Sequence, residues 1–182
     1  MIQMPSKLEI RQKSLDKRLE LTYSQKLILS KKINQKLFAE SAFVKSKNIG
    51  TFMSTRNEPM IFFHPRKKYA APKIIKNKIK FCRISNCFKK GKFNILEPNK
   101  ADPINLSQLN IIILPLVAFN LSLYRIGYGK GYFDKLFQNI NRSRYRPRLW
   151  GVGYDFQLQD YPFQNKTDIR LDKIITDQNI YE

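Results

Sequence analysis

The chain has 182 residues, 42% of them hydrophobic and 13% aromatic, which supports one buried core and excludes a chain that is disordered or collagen-like throughout. Its 34 Lys and Arg residues outnumber its 14 Asp and Glu residues, and the resulting net charge of +20 predicts anionic partners. The alternative is a lysine-rich composition spread over solvated faces. We expect a single domain over residues 1–182.

The longest apolar run, residues 111–119, is far shorter than the roughly 18 residues that span a bilayer. The first residues turn charged at once and contain no apolar signal segment, so the expected location is the cytoplasm. Cys82, Cys87 and His64 are too few soft ligands for a zinc site. The two cysteines are expected to be structural thiols in a reducing compartment.

Two helices are predicted at the start of the chain. Ser6 precedes an apolar stripe formed by Leu8, Leu15 and Leu19, which indicates a short amphipathic helix with cations on its other faces. Thr22 and Gln25 have the spacing of a capping box and open a second helix. We expect the two helices to form a hairpin.

Strands are predicted over residues 48–53, 68–71, 79–84, 111–114, 149–154 and 172–175. The stretch 111–114 is apolar at every position, as expected of a central strand that is covered on both faces. A further helix is predicted over residues 134–141. The expected fold is therefore α/β, with three layers, a mostly parallel central sheet flanked by helices, and the N-terminal helical hairpin.

Three of the 7 glycines, Gly127, Gly129 and Gly131, alternate within one short segment. Bare backbone at such spacing lets successive amides turn toward an anion, and Arg125 and Lys130 add positive charge. We interpret the segment as a phosphate cradle, with a tight structural turn as the alternative. It matches neither the P-loop nor the dinucleotide-binding fingerprint.

Carboxylates lie beside this segment and elsewhere toward the C-terminus. Asp134 closes the glycine segment, where a carboxylate can hold Mg²⁺ against bound phosphates. The alternative role for Asp134 is a helix N-cap. Asp168 and Asp172 are candidates for a second carboxylate at the same end of the sheet.

Residues 114–120 and 125–134, LPLVAFN and RIGYGKGYFD, together resemble the signature of the 5-formyltetrahydrofolate cyclo-ligase family, also called methenyltetrahydrofolate synthetases. The resemblance extends to residues 7–11, 90–98, 153–157 and 168–176, in order, and so covers nearly the whole chain. It implies an ATP-dependent ligase that converts 5-formyltetrahydrofolate to 5,10-methenyltetrahydrofolate with Mg²⁺. In this reaction ATP phosphorylates the formyl oxygen, N10 attacks the activated carbon, and phosphate leaves.

The resemblance also implies roles for individual residues. Glu58 and Lys130 match catalytic positions, and Asp134 and Asp168 match the magnesium ligands. The residues that match nucleotide-binding positions are Lys7, Arg11, Arg125, Ile126, Gly127, Tyr128, Gly129, Lys130, Gly131, Tyr132 and Phe133. The residues that match folate-binding positions are Met53, Glu58, Tyr128, Gly129, Lys130, Gly131 and Tyr132. For Glu58, a solvated loop acid is the alternative.

The expected partners are ATP and 5-formyltetrahydrofolate, with no nucleic acid and no membrane, and the expected state is a monomer. Some positions depart from the family pattern: Leu116, Leu123 and Asn94 replace Gly, Asn120 replaces Asp, and Phe133 replaces Tyr. The competing functions are another ATP-dependent ligase or kinase, or a nucleic-acid-binding module. The last would stack bases on aromatic residues that lie among lysines, namely Tyr69, Phe81, Phe88 and Phe93.

Overall fold

The computed structural model describes residues 4–55, 57–85, 87–91, 95–138, 140 and 145–182. The helices are α1 (Lys7–Leu19), α2 (Tyr23–Ala39), α3 (Ser41–Lys45) and α4 (Tyr132–Phe137). The strands are β1 (Asn48–Gly50), β2 (Lys68–Ile75), β3 (Lys78–Arg83), β4 (Phe88–Lys90), β5 (Leu96–Pro98), β6 (Ile111–Pro115), β7 (Ala118–Asn120), β8 (Arg125–Ile126), β9 (Arg148–Val152), β10 (Leu158–Gln159), β11 (Lys173–Ile175) and β12 (Ile180–Tyr181). Within the described residues, every helix is too short or too polar to cross a membrane.

The main sheet has seven strands in the order β12-β11-β9-β6-β1-β2-β3. The five inner strands run parallel, and only the edge strands β3 and β12 are antiparallel to their neighbours. The mostly parallel sheet expected from the sequence is confirmed. The chain continues from β1 to β2 on one side and later places β6 on the other side, so a crevice opens beyond the carboxyl ends of β1 and β6.

Strand β6 lies between two helical layers. Its residues Ile111 and Ile113 pack in the cluster that contains Ile33 and Leu37 of α2. Alternate residues of the same strand pack in the opposite cluster, together with Phe137 of α4. The prediction of a central strand covered on both faces is thereby confirmed, and the architecture has three layers.

Helix α1 covers a second, smaller sheet, in which β7 lies between β10 and β8. Its N-cap is Ser6, and a capping box with Glu9 fixes its first turn, so the predicted start is confirmed. Ile10 is buried against Ala118 and Ile126 of the small sheet. The small sheet and α1 together form one wall of the crevice.

The apolar stripe predicted for α1 is wrong. Leu8 and Leu19 are 69% and 61% exposed, whereas the buried residues are Ile10, Ser14 and Arg18, four apart on one face. The helix turns this face inward because it packs over the loops that carry the polar site. The hydrophobic periodicity of the sequence failed here because the buried face of α1 is partly polar, and two of the leucines that it selected, Leu8 and Leu19, point to solvent.

Helix α2 begins after the capping box of Thr22 and Gln25, as predicted. It is consecutive with α1, but its buried residues Ile33 and Leu37 belong to the main core, whereas Ile10 of α1 packs on the small sheet. The two helices of the expected hairpin are thus anchored on different sheets.

The structure moves several of the predicted boundaries, most clearly those of one strand and one helix. The strand predicted over 48–53 ends at Gly50, because the chain then leaves the sheet to line the crevice. The helix predicted to begin at residue 134 begins at Tyr132, after Gly131 in a left-handed conformation with φ 64°, and ends at Phe137. Two further residues of that prediction, 139 and 141, lie outside the described residues, as does Asn94.

Two leucines stand where the family pattern has glycine, and both are buried. Leu123 has φ 65°, a conformation that costs a non-glycine residue about 1 to 2 kcal/mol. Burial of its side chain, which is 1% exposed, contributes roughly 1.5 to 3 kcal/mol, so burial offsets the strain. The side chain of Leu116 fills the space over Gly151 and Gly153, because a Cβ on Gly153 would lie 2.4 Å from its Cδ1.

We expect Gly153→Ala to destabilise the fold by about 1 to 3 kcal/mol, the usual cost of overpacking a core. Leu116→Ala should make the same substitution less costly, because it vacates the space that the new methyl group needs. Urea unfolding of the two single variants and the double variant measures this coupling. Strictly additive effects would contradict the proposed packing of Leu116 over Gly153.

Candidate active site

A cavity of about 1260 Å³ opens at the crevice beyond β1 and β6. It is lined by every site residue that the family resemblance implies, namely Lys7, Arg11, Met53, Glu58, Arg125, Ile126, Gly127, Tyr128, Gly129, Lys130, Gly131, Tyr132, Phe133, Asp134 and Asp168. These residues come from α1, the loop after β1, the segment from β8 into α4, and the loop before β11. The fold therefore brings together residues that are as far as 161 positions apart, such as Lys7 and Asp168.

The glycine segment lies directly under the side chain of Arg11. The Nε of Arg11 donates to the carbonyl oxygen of Gly127 at 2.8 Å. A Cβ on Gly129 would lie 3.3 Å from the guanidinium carbon of Arg11, and the φ of Gly129 is 84°. Bare backbone is needed here both for the left-handed turn and for the close approach of a cation.

Lys7 and Arg11 lie one turn apart on α1 and both reach the cavity. Nζ of Lys7 forms an ion pair with Oδ2 of Asp168. The side chain of Arg125 is only 4% exposed, and its Nη2 lies 3.0 Å from Oδ1 of Asp134. The wall formed by these cations and the glycine segment can neutralise a polyanion such as a triphosphate.

Asp134 and Asp168 lie on the same cavity, whereas Asp172 does not. Asp134 is in the first turn of α4 and is not its N-cap, which is Gly131, so the capping alternative is wrong. Asp172 binds Arg146 through both carboxylate oxygens, at 2.7 and 2.8 Å, and accepts from the backbone of Leu149. Its role is to tie β9 to the segment before β11, so the suggestion that it supplies a site carboxylate is wrong.

The residues present fit Mg²⁺ bound together with phosphates. The described residues contain no group of three His, Cys, Asp or Glu that would hold a metal by itself. Asp134 uses Oδ1 for Arg125, and Asp168 uses Oδ2 for its bonds to Lys7 and Asn165, so the other oxygen of each carboxylate makes no side-chain bond that the described residues supply. Mg²⁺ is usually held by one or two carboxylates with phosphate oxygens and water completing its shell.

Glu58 is buried at the base of the cavity, with 2% of its surface exposed. Its Oε2 accepts a hydrogen bond from the backbone N–H of Thr55 at 2.7 Å, and its Oε1 accepts from the Tyr128 hydroxyl at 2.8 Å. The alternative of a solvated loop acid is therefore wrong. The loop after β1 and the glycine segment meet through this carboxylate.

Behind Glu58 lies Arg18, a residue that the sequence analysis missed. Its side chain is fully buried; Nη2 donates to the Tyr128 hydroxyl and Nη1 to the carbonyl oxygen of Leu116 at 3.4 Å. In the sequence Arg18 is one of many cations on α1. The available signal was its spacing, because Lys7, Arg11 and Arg18 fall on one helical face.

Burial raises the pKa of the Glu58 carboxyl, and the hydrogen bond from Thr55, the charge of Arg18 and the Tyr128 hydroxyl only partly oppose this shift. The pKa of Tyr128 is also raised, first by burial and then by the nearby Glu58. Tyr128 therefore keeps its proton and donates a hydrogen bond to the Glu58 carboxylate. The buried Glu58 and the buried Arg18 are therefore connected through the neutral hydroxyl of Tyr128.

The part of the cavity lining that comes from β2, β3 and Ile95 is apolar, and sequence reasoning did not identify it. Pro72 and Ile74 of β2, Ile79 of β3 and Ile95 form this part. Beside them Glu97 forms a buried pair with Lys73 at 3.8 Å. The cavity thus has one cationic wall and one apolar wall, which together suit a ligand with both a polyanionic part and a flat ring.

Of the aromatic residues considered for nucleic-acid stacking, two that the structure describes are buried in the core. Tyr69 and Phe81 are 9% and 1% exposed and belong to the two core clusters. Phe88 is half-buried, and Phe93 lies outside the described residues. A stacking platform needs open ring faces, which Tyr69 and Phe81 do not provide.

Comparison with known proteins places the chain in a family. Residues 3–177 match the 5-formyltetrahydrofolate cyclo-ligase family. A 5-formyltetrahydrofolate cyclo-ligase from Mycoplasma pneumoniae is 31% identical over 179 residues, which cover 93% of this chain and 97% of the relative.

Solved structures agree. A 5,10-methenyltetrahydrofolate synthetase from Aquifex aeolicus has a TM-score of 0.82 and 31% identity, covering 96% of this chain and 91% of that one. One from Mycoplasma pneumoniae has a TM-score of 0.77 and 28% identity, covering 95% and 99%. The chain belongs to the 5-formyltetrahydrofolate cyclo-ligase family, and the resemblance seen in the sequence is confirmed.

The raised pKa of Glu58 gives a prediction about stability. A carboxyl whose pKa is higher in the folded than in the unfolded chain favours folding below its unfolded pKa, near 4.5, and this contribution is lost as the pH rises through the folded pKa. We therefore expect wild type to lose stability relative to Glu58→Gln between pH 4.5 and pH 8.

Urea unfolding at the two pH values measures this difference, and Glu20→Gln, at an exposed position, is the reference for losing a carboxyl in water. An unchanged difference between wild type and Glu58→Gln, or a wild type that gains stability relative to the variant, would show that burial does not raise the pKa of Glu58.

Proposed function

We propose that the chain converts 5-formyltetrahydrofolate to 5,10-methenyltetrahydrofolate, with ATP consumed and ADP and phosphate released. The observation that carries the proposal is that one cavity combines a wall of cations and glycines, two carboxylates and a buried acid, on the fold of methenyltetrahydrofolate synthetases. Phosphoryl transfer depends mainly on positioning and on neutralising charge, and this set of groups supplies both.

ATP would bind along the cationic wall. Lys7, Arg11 and Arg125 supply fixed positive charge, and the backbone of the glycine segment is open toward the cavity at Gly127 and Gly131, where a Cβ would meet nothing within 4 Å. The segment from Ile126 to Phe133 would follow the phosphates. Lys130, on the rim of the cavity, is proposed to neutralise negative charge on the phosphoryl group during its transfer.

The folate would bind across the cavity from the nucleotide, between Met53 and the apolar wall. Its flat ring suits Ile74 and Ile79, which line the cavity, and the residues from Tyr128 to Tyr132 would lie between the two substrates. This arrangement brings the formyl group and the terminal phosphate to the same region of the glycine segment. Proximity of the two is the first requirement of the reaction.

The reaction then has two steps. The formyl oxygen attacks the γ-phosphorus of ATP, the bond to the β-phosphate oxygen breaks, and ADP leaves. N10 next attacks the formyl carbon and loses its proton, and phosphate departs with the formyl oxygen. Glu58 is proposed to accept the N10 proton, because its raised pKa brings it closer to neutral pH than an ordinary glutamate.

Asp134 and Asp168 are the residues that would hold Mg²⁺, and the bound ion would neutralise charge on the phosphates. The cytoplasm, the monomeric state and the absence of a nucleic-acid partner remain predictions. Cys82 and Cys87 are both free thiols, which is consistent with a reducing compartment.

The proposed activity has a direct test. Protein, 5-formyltetrahydrofolate, ATP and Mg²⁺ are mixed, and the ultraviolet absorption of the methenyl product is followed. We expect product only when all components are present, with one ADP formed for each product. ATP hydrolysis without methenyl product would favour another ATP-dependent enzyme on this fold.

The nucleotide wall can be tested separately. Replacing both Lys7 and Arg11 with Ala should raise KM for ATP more than KM for the folate, because the two cations face the proposed triphosphate site. The matched control is the replacement of Lys13 and Lys17, which have the same spacing on the exposed face of α1. Equal losses toward both substrates would count against contact with the nucleotide.

The proposed metal ligand can also be tested. Asp134→Asn keeps an oxygen for Arg125 but removes the negative charge. Replacing a residue that only contacts a metal ligand typically lowers activity by about tenfold or more. We therefore expect loss of a direct ligand to lower turnover by more than about tenfold. Raising the Mg²⁺ concentration should restore part of the rate. Asp160→Asn, exposed and outside the cavity lining, is the control. Near-normal turnover at ordinary Mg²⁺ would remove Asp134 from the metal site.

A further inference from the structure

We infer that Arg18 is a positioning residue for the proposed reaction: it fixes the Tyr128 ring and hydroxyl, and through them the Glu58 carboxylate, at the base of the cavity. This inference rests on the proposed function. It starts from a fully buried guanidinium whose Nη2 donates to the hydroxyl of Tyr128, which itself donates to Glu58 at 2.8 Å. Arg18 does not line the cavity, so any effect on the reaction passes through these two side chains.

Stability alone does not explain a buried guanidinium at this position. A buried charge costs free energy unless its partners are complete, and Nε of Arg18 is buried with no hydrogen-bond partner among the described residues. Ile10, two turns earlier on the same face of α1, makes an ordinary apolar contact with the small sheet. An apolar residue at position 18 would avoid the desolvation cost, so the cation is better explained by what it does to its neighbours.

Arg18 holds Tyr128 in two ways. Its guanidinium carbon lies 5.5 Å from the centre of the Tyr128 ring, within the range of a cation–π contact, while Nη2 binds the hydroxyl. Ring and hydroxyl are therefore both fixed by one side chain. Since Tyr128 belongs to the glycine segment, Arg18 also sets the position of α1 relative to that segment.

The same cation balances Glu58 electrostatically. Among the residues that the structure describes, the charged or titratable groups that face Glu58 are Arg18, Tyr128 and the buried Tyr154, with Thr55 donating hydrogen bonds. Arg18 is the only cation among these groups. Removing its charge while keeping an apolar stem should therefore raise the pKa of Glu58 further and reduce the fraction of carboxylate at neutral pH.

The test compares Arg18→Met with Arg18→Lys. We expect Arg18→Met to lower kcat at pH 7 by more than tenfold and to move the acid limb of kcat/KM to higher pH. Arg18→Lys keeps the charge but not the guanidinium fork, so it should restore the position of the acid limb and only part of kcat. In a Tyr128→Phe background, Arg18→Met should cost less than it does in wild type.

Lys173→Met is the matched control. Lys173 is also a buried cation, paired with Glu40 at 2.5 Å and placed 5.5 Å from the ring centre of Trp150, but it lies outside the cavity lining. Its loss should lower stability to urea and leave the acid limb where it is. If Arg18→Met behaves in the same way, with an unmoved acid limb and a rate reduced only in proportion to the unfolded fraction, the inference is overturned.

Two further outcomes are separable. If Arg18→Met does not fold, Arg18→Lys decides: a folded lysine variant with unaltered kcat contradicts a positioning role for the guanidinium. If wild type makes no methenyl product, the proposed function fails. The inference about Arg18 is then tested by NMR titration of ¹³C-labelled Glu58 without substrate. The pKa of Glu58 must be higher in Arg18→Met than in wild type.

Discussion

Arg18 lies at full burial where helix α1, the glycine segment and the loop after β1 meet. Its hydrogen bond to Tyr128, and the bond from Tyr128 to Glu58, join three segments that are distant in the sequence. Asn57 strengthens the junction, since its side-chain amide donates to the carbonyl oxygens of Arg18 and Leu21 at 3.2 and 3.1 Å. The position of α1 also sets the positions of Lys7 and Arg11, so the geometry of the cationic wall depends on this junction.

The second feature of the site is the division of the cavity into a cationic wall and an apolar wall. The parallel sheet produces this division, because its carboxyl edge carries the loop after β1 on one side and leads to the β2–β3 hairpin on the other. The cations do not remain isolated: Lys7 is paired with Asp168, and Arg125 with Asp134. Both proposed metal ligands are thus held in place by cations before any substrate arrives, which is the preorganisation that charge-stabilising sites require.

The sequence predicted well those features that depend on local chemistry. The helix start after Ser6, the capping box at Thr22, the doubly covered strand β6 and the glycine segment all depend on neighbouring residues, and all are present. Features that depend on distant contacts were missed or wrong. The inward face of α1 is chosen by the loops beneath it, and the apolar wall arises from strands that are ordinary in sequence. Arg18 is chemically like the exposed cations around it, so the sequence offers only its spacing from Lys7 and Arg11 as a signal, and its burial in the structure identifies it.

In the proposed reaction, the terminal phosphate of ATP is transferred to the formyl oxygen within this cavity. This transfer can be followed with 5-formyltetrahydrofolate labelled with ¹⁸O in the formyl group and mass spectrometry of the phosphate released during turnover. We expect each phosphate to carry the labelled oxygen, since the formyl oxygen becomes the bridging atom of the intermediate and leaves with phosphorus. Phosphate without label, with methenyl product still formed, would contradict the proposed transfer by showing that ATP is cleaved by water.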